Sequence, residues 1–378
     1  MVLGWTRMVN VDKMNSVNSK IQQLYGPGMK SLAPMVRAGT MPLRLVCARY
    51  GADAVYAEEI IDHKMIKTKR HVEDTTGIVT YYTGEWGGKS ERKVFQTCHL
   101  EKDKVVFQVG TSDATRAVKV AEMVSQDVAG FDVNMGCPKK FSVSGGMGAA
   151  LLQSPEVAED ILKALRRNIT DIPITCKIRL MEDEKKSVEL IKRLEAAGAQ
   201  AIGVHMREIP TRPSEPAMWE RLKPLVDAVS VPVIANGDLY SKSDMKKVME
   251  KSGCSSFMFA RGALANPSVF LPGESAGSVL LYDVLKQYMS CASAVENGMA
   301  NTAYTTLQMR RYAKSDRRVE ALVPLFQQNK SQISYDDIFK VLDMEPVQKA
   351  ASTLTWESLG LNLPTLDKEP NAKRQRVE

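Results

Sequence analysis

Residues 128–138 read VAGFDVNMGCP, an apolar run that ends in a cysteine and a proline. The run is typical of a buried strand, and Pro138 ends it because proline has no backbone N–H to donate. Cys137 should therefore lie at the strand's carboxyl end, where α/β folds place their chemistry. The glycine-rich segment 145–148 allows close approach of the chain. A lone cysteine is by default a small buried apolar residue, but here these features together predict a catalytic Cys137.

Composition limits the possible classes of protein. The chain has 378 residues, 44% of them hydrophobic, and a net charge of +7, which is compatible with a polyanionic partner. Its apolar runs are shorter than the roughly 20 residues of a membrane span, so no membrane partner is expected. Residues 1–28 have no signal-peptide core and are interpreted as a polar N-terminal extension. The six cysteines lack metal-site spacing, so we expect reduced thiols and no metal.

Eight short apolar runs recur along the chain, with helical patterns between them. They are MKSLAPMV (29–36), ADAVYAEEI (52–60), VVFQVG (105–110), GFDVNMGC (130–137), ITCKIR (174–179), AIGVHMR (201–207), VPVIANGD (231–238) and SSFMFARG (255–262). Such near-continuous Val, Ile and Ala content indicates parallel strands buried on both faces. Residues 29–270 are therefore predicted to form an α/β domain, a (β/α)8 TIM barrel. Segment 63–104 is too long for a plain crossover and is expected to insert a hairpin.

The pattern changes after the barrel. Residues 276–348 show helical periodicity without strand-like runs, which predicts a small all-α helical bundle docked on the barrel. From residue 350 the chain is polar, and 350–378 is interpreted as a flexible basic tail.

Polar residues follow the carboxyl ends of several predicted strands and form a set that a packed barrel interior does not need. They are Gln108, Asn134, Cys137, Lys177, Arg179, His205, Arg207, Asn236, Gly237, Asp238, Ala260, Arg261 and Gly262. Barrels commonly bind phosphate after the seventh and eighth strands, where Gly237, Gly262 and Arg261 are expected.

Burying the ammonium group of Lys177 would destabilise the folded protein unless the group faced an anion. The negatively charged edge of a reduced flavin is such an anion, so the residues favour a phosphorylated redox cofactor such as FMN. The chain has no GxGxxG loop for tight dinucleotide binding, so a nicotinamide donor is expected to bind only transiently.

Seven motifs now stand in order along residues 29–345. They are LAPMVRAGTMPLR (32–44), VVFQVG (105–110), DVNMGCPKKFSVSGGMGAALL (132–152), CKIR (176–179), VHMR (204–207), VIANGD (233–238) and FARGALANP (259–267). With these motifs the chain resembles the tRNA-dihydrouridine synthase family. Together with YAEEIID (56–62), it looks most like the eukaryotic dihydrouridine synthase 2 branch, which acts on uridine 20 of the tRNA D-loop.

The resemblance implies a flavoenzyme in which NADPH reduces FMN, hydride passes to C6 of the uracil, and Cys137 protonates C5. The flavin ring should lie along Pro34, Met35 and Val36, with Gln108 and Lys177 at its polar edge. The ribityl phosphate should be held by His205, Asn236, Gly237, Asp238, Ala260 and Arg261. Lys139 and Lys140 could lower the thiol pKa.

The chain departs from the family pattern at several positions. Phe141 stands where CPxxK has lysine, while the family's HGR and GRG become HMR (205–207) and ARG (260–262). Residues 350–378 are too few for the double-stranded-RNA-binding domain of animal relatives, so tRNA capture is assigned to the barrel and the bundle. The cations of 309–318 are expected on one helix face that contacts phosphates, although a solvated surface helix is the alternative. They are Arg310, Arg311, Lys314, Arg317 and Arg318, offset only by Asp316.

Two other functions are compatible with parts of the sequence. One is an FMN barrel that acts on a small pyrimidine-like molecule, and the other is a tRNA-binding chaperone with dispensable catalysis. The expected location is the cytoplasm, with the nucleus as a second location if the basic cluster at 370–376 is an import signal; a solvated tail is the alternative.

Overall fold

The computed structural model describes residues 11–209, 211–212, 214–313, 316–328 and 332–363. The expected import cluster at 370–376 and Lys314 lie outside these ranges. The strands are β1 Lys30–Leu32, β2 Ala54–Tyr56, β3 Ile60–Ile61, β4 Lys69–Val72, β5 Val79–Thr83, β6 Arg92–Thr97, β7 Val105–Gly110, β8 Gly130–Asn134, β9 Ile174–Leu180, β10 Ile202–Glu208, β11 Val233–Asn236 and β12 Ser256–Phe259.

A ring of parallel strands forms the centre of the molecule. Strand β1 pairs with β2, β2 pairs with β7, and β7 to β12 then pair in order. Pairing of Lys30 with Phe257 joins β12 back to β1 and closes the ring of eight strands. The predicted (β/α)8 TIM barrel is therefore confirmed. Strand β8 ends at Asn134, so Cys137 lies just beyond the carboxyl end of the strand.

Helices surround the ring and extend beyond it. They are α1 Val11–Tyr25, α2 Met41–Arg49, α3 Asp62–Met65, α4 Ala114–Val124, α5 Lys140–Val143, α6 Pro155–Asn168, α7 Glu184–Ala196, α8 Lys223–Val226, α9 Lys242–Ser252, α10 Arg261–Ala265, α11 Leu281–Ala294, α12 Met299–Tyr312, α13 Arg317–Glu320, α14 Leu322–Gln327 and α15 Tyr335–Val341. Four short 3-10 helices accompany them in the described ranges: Gly148–Gln153, Trp219–Leu222, Pro267–Phe270 and Gly273–Ser275. No helix within these ranges is long and apolar enough to span a membrane.

Helix α1 differs from the polar extension expected for residues 1–28. Its buried residues Val17, Ile21, Leu24 and Tyr25 pack in one cluster with inward-facing residues of the barrel strands, Met258 among them. The helix is predominantly polar in sequence, but its narrow apolar stripe is enough to pack against the end of the barrel.

The segment inserted after β2 is a three-stranded antiparallel sheet of β4, β5 and β6, one strand more than the expected hairpin. The rings of Tyr81 and Phe95 lie in tilted contact on its buried face, and Phe95 packs edge-to-face against Phe107 of β7. The sheet is therefore anchored to the barrel by aromatic contacts.

The chain after residue 350 also differs from the expected flexible tail as far as it is described. Leu354, Leu359 and Leu361 are buried, and Arg49 of α2 donates a hydrogen bond to the carbonyl of Leu361 at 2.9 Å. Residues 350–363 therefore pack against the barrel, because spaced leucines bury apolar area even in a mostly polar segment.

Candidate active site

A cavity of about 400 Å³ lies at the carboxyl ends of the barrel strands. All twelve residues expected from the sequence to be catalytic or cofactor-binding line it. They are Pro34, Met35, Val36, Gln108, Cys137, Lys177, His205, Asn236, Gly237, Asp238, Ala260 and Arg261. The structure thus brings together residues from seven of the eight ring strands and the loops that follow them, while their individual roles stay predictions.

A hydrogen-bond network fixes the loop that carries Cys137. The side-chain oxygen of Asn134 accepts the backbone N–H groups of Gly136 at 2.9 Å and Cys137 at 3.0 Å. The Asn134 amide donates to Gln108 at 3.1 Å, and Gln108 donates to Asp132 at 2.8 Å. Asparagine suits this position because its short side chain bonds its own backbone two and three residues on.

Glycines allow the loop to pack closely. A side chain at Gly136 would lie 3.2 Å from the backbone of Ile178, and Arg179 donates a hydrogen bond to the Gly136 carbonyl at 2.8 Å. Gly148 has a φ of +58°, and a side chain there would lie 2.6 Å from the Cys137 carbonyl oxygen. The close approach of this segment to Cys137 therefore requires glycine.

The environment of Cys137 favours the protonated thiol. Burial raises the pKa of the Cys137 thiol to about 11, and the nearby negative charge of Glu59 adds to the increase. The backbone of Lys139 and the hydroxyl of Ser142 oppose it through hydrogen bonds. Lys139 opposes the increase through its backbone rather than its charge, and the net effect leaves the thiol protonated at neutral pH and able to act as an acid.

Lys177 lines the cavity beside the loop, and the buried Asp132 lies behind it in the barrel. Asp132 is buried, accepts a hydrogen bond from Thr175 at 2.6 Å, and has a pKa raised by burial to about 6. The enclosed position of Lys177 lowers its pKa to about 8; the positive charge of Arg179 lowers it further, and Asp132 opposes the shift. Lys177 therefore presents a weakly solvated ammonium group that an anion would stabilise.

Asp238 differs from its expected contact with phosphate. Its carboxylate pairs with Arg207 at 2.6 Å and with Arg261. The same carboxylate accepts the backbone N–H of Ala217 at 2.7 Å. Because a carboxylate repels a phosphate, Asp238 is better suited to orienting the two guanidinium groups than to touching the anion.

The backbone at the end of β11 packs closely beside these cations. Gly237 has a φ of +127°, and a side chain there would lie 3.1 Å from Ala217 and 3.3 Å from His205. Burial lowers the pKa of His205 far below its ordinary value, and the positive charges of Lys177 and Arg179 lower it further. The imidazole is therefore neutral at pH 7 and able to donate one hydrogen bond.

The helical region also contributes to the cavity, which sequence reasoning missed. Tyr304, Gln308 and Tyr312 of α12 line it, and their spacing of four residues places them on one helix face. Glu59 was missed as well, although an acidic pair directly after a buried strand was a usable signal. In the described part of the chain, no three His, Cys, Asp or Glu residues are placed to hold a metal ion.

The expected continuous basic helix face is wrong, because α12 ends at Tyr312 and α13 begins at Arg317. Asp316 caps α13 by accepting the backbone N–H of Arg318, a start signal that was present in the sequence.

The expectation that Asp316 alone offsets these cations is also wrong. Arg310 pairs with Glu320 at 2.8 Å, while Arg318 pairs with Asp316 at 2.8 Å and lies 4.1 Å from the ring of Tyr282. Both ion pairs are partly exposed to solvent, so the carboxylates hold the arginines only weakly.

Comparison with known proteins agrees with this geometry. The family model described as dihydrouridine synthase (Dus) matches residues 31–336. A tRNA-dihydrouridine(20) synthase, NAD(P)+, of Schizosaccharomyces pombe is 34% identical over 349 residues, covering 89% of this chain and 68% of the relative. The Saccharomyces cerevisiae protein of the same name is 34% identical over 292 residues, covering 73% and 76%. A Homo sapiens tRNA-dihydrouridine(20a/20b) synthase-like protein is 30% identical over 262 residues, covering 68% and 75%. The chain belongs to the dihydrouridine synthase family.

Proposed function

We propose that this protein reduces the C5=C6 bond of a uridine in the tRNA D-loop, at position 20, to 5,6-dihydrouridine. FMN is the bound cofactor and NADPH its transient electron donor. The observation that supports this most strongly is the position of Cys137, whose loop is fixed by Asn134 at the edge of a cavity lined by all the expected cofactor residues, in surroundings that favour the protonated thiol.

The cavity has the chemistry that FMN requires. Arg207 and Arg261, oriented by Asp238, supply positive charge for a phosphate monoester beside the close-packed glycine Gly237. Elsewhere in the cavity, the ammonium group of Lys177 suits the negative edge of a reduced flavin ring, and Met35 offers an apolar surface for that ring. A bound, reduced flavin supplies the hydride for C6 of the uracil.

The chain's own contribution to the reaction is orientation and one proton. Cys137 donates the proton of its thiol to C5, and the hydrogen bonds from its loop to Asn134 hold the sulfur in place. The target uridine must leave its stack to enter the barrel mouth. Tyr304 and Tyr312 of α12 line the mouth with aromatic rings, and the guanidinium of Arg37 packs over Tyr304; such rings can stack with an unpaired base.

The tRNA itself is held by a surface that we call the basic cluster, Arg310, Arg311, Lys314, Arg317 and Arg318. Arg310 and Arg311 belong to the last turn of α12, next to the cavity residue Tyr312. Phosphates can replace the partly exposed carboxylates that pair with Arg310 and Arg318.

The test uses purified protein, NADPH and an unmodified tRNA transcript. Mass spectrometry of the digested tRNA should find one dihydrouridine, at position 20, and a transcript with cytidine at that position should gain none. Flavin released by heating should chromatograph as FMN. NADPH consumption without dihydrouridine, or equal turnover with free uridine, would favour a small-molecule reductase. A protein that binds tRNA but leaves it unreduced would favour the chaperone function.

We also propose a cytoplasmic location, with nuclear entry directed by residues 370–376. Deleting residues 366–378 should move a tagged protein out of the nucleus without changing its activity on purified tRNA. An unchanged distribution would contradict the import signal, and a large loss of tRNA affinity would assign the segment to RNA binding.

A further inference from the structure

Glu59 is buried against the loop that carries Cys137. It follows β2 in sequence, lines the cavity and is 8% exposed. The hydroxyl of Ser142 donates a hydrogen bond to its Oε1 at 3.0 Å. Its other oxygen, Oε2, is buried and has no hydrogen-bond partner among the residues that the structure describes. Burying a carboxylate oxygen without a hydrogen bond lowers the stability of the folded protein, which suggests that Glu59 has a functional role.

Two glycines leave space for this arrangement. A side chain at Gly110 would lie 2.6 Å from Oε1 of Glu59, and a side chain at Gly148 would overlap both Ser142 and Cys137. A residue larger than glycine at position 110 or 148 would therefore fill space that Glu59, Ser142 and Cys137 now occupy. We call them the acid cluster.

Charges of both signs face the Cys137 sulfur. Lys177 and Arg179 of β9 lie close enough to interact with it, and Lys139 reaches it through the backbone. These groups favour the thiolate, whereas the carboxylate of Glu59 favours the thiol. Burial is the main cause of the raised thiol pKa, and the carboxylate of Glu59 adds to it against these cations, which keeps the proton that the reaction needs on the sulfur.

We propose that Glu59 is a positioning residue that keeps Cys137 protonated and restores its proton after each turnover. When Cys137 gives its proton to C5, the new C–H bond replaces the S–H bond and the sulfur becomes a thiolate. Two negative charges then lie side by side, which favours uptake of one proton from water. That proton binds the more basic sulfur, no electrons move, and the starting state returns. The catalytic role of Glu59 rests on the proposed function, but the protonation state of the Cys137 thiol can be measured independently of that function.

The test measures alkylation of Cys137 by iodoacetamide as a function of pH in the purified full-length protein. Only the thiolate reacts, and Cys137 is the one cysteine of six that is not buried. Mass spectrometry of the peptide that contains Cys137 gives the rate. The wild-type midpoint should lie above the ordinary value of about 8.5.

Glu59→Gln keeps the shape of the side chain and removes its charge. At pH 8 it should react about tenfold faster, which corresponds to a thiol pKa lowered by about one unit. Glu59→Asp should restore most of the wild-type profile. Glu58→Gln is the matched control, because Glu58 binds the backbone of Arg37 rather than the acid cluster, and its profile should equal that of wild type.

A second readout links the thiol to turnover. Since Cys137 must be protonated, dihydrouridine formation should fall as pH rises through the thiol pKa. In Glu59→Gln this fall should occur at lower pH, shifted by the same amount as the alkylation midpoint. A purely structural role for Glu59 would lower the rate at every pH without such a shift.

The proposal is overturned if Glu59→Gln alkylates less than about threefold faster at pH 8, or if its activity profile does not move with its alkylation profile. It is also overturned, even if that variant does not fold, by a wild-type midpoint at or below about 8.5. A wild-type protein that forms no dihydrouridine on any tRNA contradicts the proposed function alone, because the alkylation needs neither tRNA nor NADPH.

Discussion

The side-chain oxygen of Asn134 accepts the backbone N–H of Cys137 at 3.0 Å, which ties the reactive loop to the last residue of β8. Through Gln108 the connection continues to Asp132 inside the barrel. The orientation of the sulfur is therefore coupled to the rigid strands rather than to the loop alone, as an acid that must meet one carbon atom requires.

Asn134→Ala should reduce turnover roughly tenfold to a hundredfold, because two N–H groups of the Cys137 loop lose their acceptor. Flavin content should change little. Asn168→Ala, in which the exposed last residue of α6 loses a similar amide, is the control and should be neutral. Single-turnover rates with prereduced protein would measure the effect, and an unchanged rate would contradict the role of Asn134.

Cys137→Ala should lower dihydrouridine formation by about 10²-fold or more, the usual scale for removing a general acid. The flavin spectrum and the affinity for tRNA should stay near wild type, since the substitution removes one partly exposed sulfur. A rate within a few-fold of wild type would show that the proton comes from another group.

Arg261→Ala and Lys177→Ala should each lower the amount of FMN that copurifies, because each removes a cation from the cavity wall. The ratio of flavin to protein absorbance measures this. Arg193→Ala is a suitable control, since its ion pairs with Glu156 and Glu159 join the outer helices α6 and α7. Full flavin occupancy in both test variants would contradict the cofactor's placement.

Replacing the basic cluster with glutamines should weaken tRNA binding and flatten its salt dependence, by about one unit of slope for each lost phosphate contact. Reduction of the flavin by NADPH should be unaffected because it needs no RNA. A control variant replaces as many cations on the outer helices: Lys163, Arg167, Lys192, Lys247 and Lys251. Equal salt slopes in wild type and the basic-cluster variant would mean that the cluster is a solvated surface.

Leu24→Ala should lower the free energy of unfolding by about 2–4 kcal/mol, because it opens a cavity between α1 and the end of the barrel. Gln23→Ala, one residue away on the exposed face, should change it by less than about 0.5 kcal/mol. Urea denaturation measures both. A loss of less than about 1 kcal/mol for Leu24→Ala would show that α1 contributes little to stability.

The barrel was predictable because strands buried on both faces must be apolar along their whole length. That requirement leaves continuous runs in the sequence, and each of the eight runs overlaps one strand of the ring. Helix α1 was not predictable in the same way. Its mean composition is polar, and a stripe of four apolar residues packs it against the barrel. The break between α12 and α13 was concealed by the regular spacing of arginines, although Asp316 signalled a new helix start.

The candidate site likewise has features that the sequence predicts and features that only the tertiary structure shows. The sequence by itself determined the order of the strands along the chain, the placement of Cys137 and Arg261 after strand ends and that of Lys177 within β9, because strand length and termination depend on neighbouring residues. Only the tertiary structure decided that Glu59 lies beside Cys137, that Asp238 holds two arginines, and that α12 closes over the cavity. A thiol pKa is set by charges and burial within a few ångströms. In this fold those neighbours come from separate loops, whose meeting no local pattern encodes.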